Sequence, residues 1–153
     1  RKLEHGDFVL FDMGTIVDGY ASDMTRTVVL GKTDNEQRRV YNAVLDAQKA
    51  ALEAITAGAD CAHVDSIARS VIEKAGYRDR FVHSLGHGVG LEVHENPYLS
   101  KRSKQELRER SIVTVEPGIY IPGWGGVRIE DMVVVKRHGC ENLTSTTKEL
   151  IEL

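Results

Sequence analysis

Cysteine is scarce in this chain of 153 residues, which contains only Cys61 and Cys140. The two cysteines lie far apart along the chain and belong to no CxxC spacing. This pattern is typical of reduced thiols and indicates a cytoplasmic protein, while a single disulfide between Cys61 and Cys140 is an open alternative.

Long apolar segments and an excess of positive charge are also missing. No segment approaches the roughly 20 apolar residues that a membrane-spanning helix needs, and no signal peptide opens the chain. A net charge of −3 provides no broad basic face. We therefore expect no nucleic-acid partner and no membrane partner. The glycine-rich part contains neither GxGxxG nor GxxxxGK followed by Ser or Thr, which makes a phosphate-binding loop a poor interpretation.

The length fits one domain with a substantial core, and the composition is that of an ordinary soluble globular protein. The first residue is Arg1 rather than methionine, and a strand already begins near Phe8. We therefore expect the chain to be a fragment or a cleaved product, with a segment missing upstream.

Two β-hairpins and two helices follow from the sequence pattern. Strands are predicted at residues 8–11 and 20–30 across an Asp18-Gly19 turn, and at residues 111–121 and 127–136. A capping box of Thr33 and Glu36 predicts the start of the first helix, which Gly58 ends. The second helix is expected at residues 61–75, and a short polar helix at residues 101–110. This order predicts an α+β fold.

Four carboxylates are placed almost symmetrically in the two predicted hairpins. Asp12 and Asp23 flank a turn centred at residues 17–18, while Glu116 and Glu130 flank Gly123. Without a bulge, each acidic pair would be a cross-strand pair, with Cβ atoms roughly 4.5–5.5 Å apart.

Facing carboxylates among apolar neighbours must share protons or bind a cation, because burial penalises unpaired like charges. Four of them supply more negative charge than one divalent ion needs, so two carboxylate-bridged ions at roughly 3.5–4 Å fit better. A solvated residue at the edge of a hairpin is the alternative for any one of these carboxylates.

His83, His87 and His94 lie in a glycine-rich segment between residues 81 and 98. Imidazole binds Mn, Fe, Co and Zn, and glycines let the backbone approach a site closely. A single histidine is usually structural. Three together favour chemistry, although not every one need be a metal ligand.

Five motifs, taken together, resemble the pita-bread metallopeptidases, a superfamily that includes methionine aminopeptidase, Xaa-Pro aminopeptidase and Xaa-Pro dipeptidase. The motifs are DMG at 12–14, YASDMTRT at 20–27, GHGVGLEVHE at 86–95, EPG at 116–118 and VRIED at 127–131. The residues of the YASDMTRT and VRIED motifs are more similar to those of the proline-specific branch. The resemblance implies an α+β pita-bread fold that is incomplete at the N-terminus, with residues 1–153 as a partial C-terminal catalytic domain.

The resemblance also implies a dinuclear metal site. Asp12 would bind one ion with both oxygens, His87 and Glu116 would bind the other, and Asp23 and Glu130 would bridge the two. All five ligand positions are filled, which argues against the creatinase branch and the non-catalytic members of the superfamily. The implied cofactors are two divalent ions, with Mn, Co, Fe and Zn left open.

Four residues have implied catalytic roles. His83 and His94 match histidines that contact substrate and stabilise the tetrahedral intermediate, and Glu116 is expected to carry the proton to the leaving nitrogen. Arg128 is expected to orient a bridging carboxylate from behind, because it lies two residues before Glu130 on the same strand face.

The implied activity is metal-dependent hydrolysis of the bond between an N-terminal residue and a following proline, with short peptides as substrates. Methionine aminopeptidase-type processing and an inactive metal-binding fragment with an interaction role are the alternatives. An incomplete domain would expose apolar surface that favours association, so a homodimer is an open possibility.

Overall fold

Two helices form one side of the core in the computed structural model, which describes residues 1–153. They are α1 (Asn35–Ala54) and α2 (Cys61–Lys74), and they contact each other along their length. Their buried apolar positions are those that the helical spacing predicts: Val40, Val44, Ala47 and Ala51 in α1, and Val64, Ala68 and Ile72 in α2.

The start of α1 differs from the prediction by one residue. Asp34, rather than Thr33, is the N-cap: its carboxylate accepts from the Gln37 amide at 2.7 Å, and the Gln37 Oε1 accepts from the Asp34 amide at 3.0 Å. The Thr33 hydroxyl instead donates to Glu152 at 2.6 Å. A tertiary partner near the C-terminus therefore takes the side chain that local spacing assigns to the cap.

Eleven strands complete the fold. They are β1 (Phe8–Met13), β2 (Ile16–Val17), β3 (Tyr20–Ala21), β4 (Met24–Val29), β5 (Gly86–Gly88), β6 (Glu95–Leu99), β7 (Ile112–Val115), β8 (Gly118–Ile121), β9 (Gly125–Arg128), β10 (Asp131–Val135) and β11 (Cys140–Asn142). A five-stranded antiparallel sheet has the order β11-β10-β7-β5-β6, and two-stranded ladders join β1 to β4, β2 to β3 and β8 to β9. The predicted α+β class is confirmed.

The first hairpin is centred one residue later than predicted. Asp18 and Gly19, with φ of 51° and 85°, form its two-residue turn, and the register pairs Asp12 with Thr25. The predicted direct pairing of Asp12 with Asp23 is therefore wrong. Asp23 lies two residues from the partner of Asp12, which keeps both side chains on the same face of the ladder.

The second hairpin is interrupted where continuous strands were predicted. One strand breaks between β7 and β8 at Glu116 and Pro117, and the other breaks between β9 and β10 at Ile129 and Glu130. The register pairs Val115 with Asp131 before the break and Gly118 with Arg128 after it. Glu116 and Glu130 therefore face each other, as predicted.

The predicted polar helix at residues 101–110 does not form. This segment bonds to the loop between α1 and α2 instead: the Leu107 amide donates to Ala59 at 2.9 Å, and the Gly58 amide donates to Leu107 at 2.8 Å. Leu107 is buried. The burial of Leu107 and its backbone hydrogen bonds to the α1–α2 loop thus take the place of the internal hydrogen bonds that a short helix would form.

Gly86 and Gly88 allow β5 to lie tightly between β6 and β7. A Cβ at Gly86 would overlap the carbonyl of Thr114, and one at Gly88 would overlap the carbonyl of Asn96. Side chains at either position would push β5 away, and with it His87, which lies between them.

Two further sequence expectations concern cysteine and membranes. Cys61 is buried and Cys140 is half-buried, and both are free thiols. Neither helix has the length and apolar character that crossing a membrane requires.

We predict that Asp34→Ala lowers the free energy of unfolding by about 1 kcal/mol, because it removes the N-cap acceptor. Glu36→Ala is the control: the structure gives Glu36 only a 3.8 Å ion pair on the surface, so the cost should be near zero. Urea unfolding of both variants measures the difference. A larger loss for Glu36→Ala than for Asp34→Ala would favour the predicted capping box of Thr33 and Glu36.

Candidate metal centre

The hairpins and β5 surround an acidic cavity of about 370 Å³. Its lining includes all five residues that the sequence predicts as metal ligands, together with His94. These are Asp12, Asp23, His87, His94, Glu116 and Glu130. Residues more than a hundred positions apart in the sequence are thus brought into one cavity.

The predicted ligand residues fall into overlapping groups whose donor atoms lie within 4.8 Å of one another. One group is Asp12, Asp23 and Glu130, and another is His87, Glu116 and Glu130. Glu130 belongs to both groups, so its two oxygens can serve two adjacent ions. A third group joins Asp23 and His87 to His94, which places His94 within ligand distance although the sequence predicts a substrate contact for it.

His87 is oriented by the backbone of its own strand. Its Nδ1 lies 3.1 Å from the carbonyl oxygen of Gly88, which can only accept, so Nδ1 carries the hydrogen. Nε2 then faces the carboxylates, 3.2 Å from Glu116 Oε1 and 3.7 Å from Asp23 Oδ2. Burial lowers the pKa of His87, but the hydrogen bond and charge of Glu116 outweigh it and raise the pKa overall.

Glu130 is the most deeply buried of the carboxylates that line the cavity, with 2% of its surface exposed. Its Oε2 accepts from the Thr25 hydroxyl at 2.5 Å, but its Oε1 has no partner. Burial, and next the charge of Glu116, raise the pKa of Glu130 to about 8. Burial and the charge of Asp12 likewise raise the pKa of Asp23.

An unpartnered buried carboxylate oxygen costs several kcal/mol unless a proton or a cation neutralises it. The donor set of carboxylates and one imidazole suits divalent transition metals. The residues present therefore fit a metal site.

Arg128 lies beside this cavity, close to two of its carboxylates. Its guanidinium forms an ion pair with Asp12, and its Nε donates to the Thr25 hydroxyl at 3.0 Å. Because Thr25 in turn donates to Glu130, Arg128 reaches the predicted bridging carboxylate only through that threonine. Its direct ion pairs are with Asp12 and, at 3.8 Å, with Glu116. The orientation of Glu130 by Arg128 stays a prediction.

His83 lies outside the lining of the cavity. Its Nδ1 is 2.8 Å from the carbonyl oxygen of Ser84, and its Nε2 is 3.0 Å from the Tyr120 hydroxyl, which also accepts from Arg128 at 3.1 Å. Burial lowers the pKa of His83, so the neutral ring with a hydrogen on Nδ1 is favoured. The substrate contact expected of His83 stays a prediction, since both ring nitrogens already have partners.

Thr25 and Tyr120 belong to the surroundings of the site, although no role was predicted for either residue. Thr25 follows Asp23 by two positions, and Tyr120 follows Glu116 by four. Both separations place the side chains on the face of the ligand, which is the signal that would have identified them.

We predict that the metal-free chain becomes less stable as the pH rises from about 5.5 to 8. The folded chain holds the Glu130 proton up to about pH 8, whereas the unfolded chain releases it near 4.5, so unfolding becomes easier over that interval. The loss should be on the order of 3 kcal/mol. Urea unfolding in a chelator measures it.

Glu130→Gln should reduce this pH dependence, since glutamine keeps the shape and does not titrate. The raised pKa values of Asp23 and His87 act in the same direction and leave a smaller slope. Glu109→Gln, at an exposed position, should leave it unchanged. An equal pH slope in the protein with and without Glu130→Gln would show that Glu130 is not the group responsible.

Comparisons with known proteins identify the family of this chain. The model of Metallopeptidase family M24 matches residues 1–137. Among curated proteins, the Xaa-Pro dipeptidase of Pyrococcus furiosus is 49% identical over 151 residues, which are 99% of this chain and 43% of that protein.

Solved structures give the same result. X-Pro aminopeptidase from Thermotoga maritima matches with a TM-score of 0.96 and 44% identity, over 99% of this chain and 43% of that one. Xaa-Pro dipeptidase from Bacillus anthracis matches with a TM-score of 0.97 and 48% identity, over 99% and 42%. The chain thus spans less than half the length of these relatives, and the predicted pita-bread fold is confirmed. The chain belongs to Metallopeptidase family M24.

Proposed function

We propose that this chain carries the metal centre of a dinuclear metallopeptidase that cleaves the bond between an N-terminal residue and a following proline. The observation that carries the proposal is the buried Glu130, whose free oxygen lies among four further predicted metal ligands. The names of the relatives supply the proline specificity: Xaa-Pro dipeptidase and X-Pro aminopeptidase. Substrates would be short peptides with proline in the second position.

We assign the proposed ligands to two ions according to the groups of donor atoms that lie close together. Asp12, Asp23 and Glu130 would hold one ion, and His87, Glu116 and Glu130 would hold the other. Asp23 is the second shared carboxylate, because it lies near both Asp12 and the Nε2 of His87. Mn, Co, Fe and Zn all suit such a mixed set of oxygen and imidazole donors.

The bound ions would supply Lewis-acid activation of a water nucleophile and of the scissile carbonyl. The Glu116 carboxylate would take the proton of that water and pass it to the leaving nitrogen. Its position supports this role: Glu116 lines the cavity, and the Thr114 hydroxyl donates to its Oε1 at 3.1 Å, which leaves Oε2 facing Arg128 at 3.8 Å.

His94 and Asp12 would act on the substrate from the open side of the cavity, since both are exposed. The His94 imidazole would donate a hydrogen bond to the oxygen that becomes negative during attack. Asp12 would attract the free amino group of the substrate, and Arg128 holds that carboxylate in place. A requirement for a free amine would restrict cleavage to N-terminal residues.

Two alternatives remain within the same site. Methionine aminopeptidase-type processing has less support, because the similar proteins with a stated substrate carry Xaa-Pro names. A metal-binding fragment without activity is the other alternative, since the chain spans about 43% of its relatives. A cytoplasmic location and a homodimer stay predictions.

We predict that the protein hydrolyses alanyl-proline and that a chelator abolishes this activity. The assay should use this chain and a version extended to the length of the relatives, each loaded with Mn²⁺ or Co²⁺. Glu116→Gln should reduce kcat by at least about 100-fold, because the proton carrier is lost. The exposed Glu109→Gln is the control and should retain normal turnover.

Activity in the extended form alone would show that this chain is part of the working enzyme. Faster cleavage of methionyl-alanine than of alanyl-proline would favour the methionine aminopeptidase-type alternative. If neither form hydrolyses the peptides although both metal ions are bound, the alternative of a metal-binding protein without activity is favoured.

We predict that His94→Ala keeps both ions but lowers kcat by about 100-fold, the loss typical of removing one oxyanion donor. Metal content per chain must be measured together with turnover, because the donor atoms of His94 also lie within ligand distance of Asp23 and His87. Loss of one ion in this variant would make His94 a metal ligand. Normal turnover would remove it from the mechanism.

A further inference from the structure

Arg26 lies on β4 directly after Thr25, with its side chain buried behind the metal centre. Its Nη1 donates to two backbone carbonyls, that of Thr25 at 2.8 Å and that of Glu130 at 2.5 Å. The Glu130 side chain lines the metal site, and the Thr25 hydroxyl donates to that side chain. The Arg26 guanidinium therefore links the two strands at the point where Glu130 leaves the β-ladder.

Every N–H of the Arg26 guanidinium is used. Besides the two carbonyls, Nη2 donates to Asp131 Oδ1 at 2.7 Å and to the Thr146 carbonyl at 2.9 Å, and Nε donates to the Thr147 carbonyl at 2.9 Å. A guanidinium has five such donors in a fixed plane. The C-terminal segment and both ligand-bearing strands are thus held in one rigid arrangement.

Asp131 is the anchor of this arrangement, and it is fully buried. It also accepts from Gln48 Nε2 at 2.9 Å, Asn142 Nδ2 at 2.7 Å and Lys148 Nζ at 2.7 Å. With these four hydrogen-bond donors around it, the Asp131 carboxylate fixes the position of Arg26.

We propose that Arg26 is a positioning residue for the metal centre, which sets the direction of the Glu130 carboxylate by fixing the backbone carbonyls of Thr25 and Glu130. This inference rests on the proposed function only in requiring that the site bind divalent ions. The side chain of Glu130 follows its backbone, which is also bound by the Glu130 amide donating to Thr25 at 3.1 Å. A lysine offers a point charge and cannot hold two carbonyls and a carboxylate in one plane.

The simpler explanation is that Arg26 only stabilises the fold as half of a buried ion pair. Lys148 separates the two explanations, because it also pairs with Asp131 at 2.7 Å. Its other hydrogen bond goes to Gln48 Oε1 at 3.1 Å, so it reaches neither carbonyl behind the metal centre. Replacing Lys148 disturbs the same anchor without touching the backbone of the ligands.

The test compares Arg26→Lys with Lys148→Met in the longest form of the protein that contains this chain. Mn²⁺ affinity is measured by calorimetry, the Co²⁺ environment by visible absorption, and the free energy of unfolding in a chelator. We expect Arg26→Lys to weaken Mn²⁺ binding by at least about tenfold and to change the Co²⁺ spectrum. Lys148→Met should bind Mn²⁺ within about twofold of the parent, even where its unfolding cost is similar.

If Arg26→Lys does not fold, Asp131→Asn is the second variant, since it keeps the volume of the anchor and weakens its hold on Arg26. It should also weaken Mn²⁺ binding and alter the Co²⁺ spectrum. Unchanged affinity and spectrum in whichever of the two variants folds would overturn the inference, as would metal loss in Lys148→Met that matches its loss of stability. Absence of Mn²⁺ binding by the unsubstituted protein would overturn the proposed function as well.

Discussion

Glu130 must be neutralised, and much of the surrounding structure can be understood from that constraint. Its carboxylate is 2% exposed, one of its oxygens has no partner, and the carboxylates of Asp23 and Glu116 both oppose its ionisation. A proton satisfies it in the metal-free chain, but only up to about pH 8. Divalent cations would satisfy all the clustered carboxylates together, so we expect the metal-free site to be a poorly stabilised part of the fold.

The chain keeps these charges together by breaking its own strands at the site. Glu116 and Glu130 lie in the gaps of the second hairpin, where the backbone leaves the ladder while the register continues on both sides. Hydrogen bonds from outside the ladder replace those lost there: Arg26 binds the Glu130 carbonyl at 2.5 Å, and the Glu116 amide donates to Leu85 at 2.8 Å. The buried Asp131 binds Arg26. An ion pair that does not line the cavity therefore fixes the strands that carry the ligands.

Local patterns predicted the helices, the hairpins and the four clustered carboxylates, because helical spacing and turn residues are encoded by near neighbours. The choice of His87 among three histidines came from the resemblance to the metallopeptidases. Two expectations failed where a distant partner decided the outcome. Thr33 bonds to Glu152 rather than capping α1, and Leu107 is buried against the α1–α2 loop rather than in a helix. The pairing of Asp12 failed for a local reason, since moving the centre of a hairpin by one residue moves each pairing by two.

The most direct test of a dinuclear centre is electron paramagnetic resonance of the protein loaded with Mn²⁺ to saturation. If Asp23 and Glu130 bridge two ions, the bound Mn²⁺ should give an exchange-coupled spectrum, with two ions bound per chain by elemental analysis. Glu130→Gln should replace that signal with one from isolated ions, because a shared ligand is lost. A saturated parent protein whose entire signal comes from isolated Mn²⁺ would contradict the account.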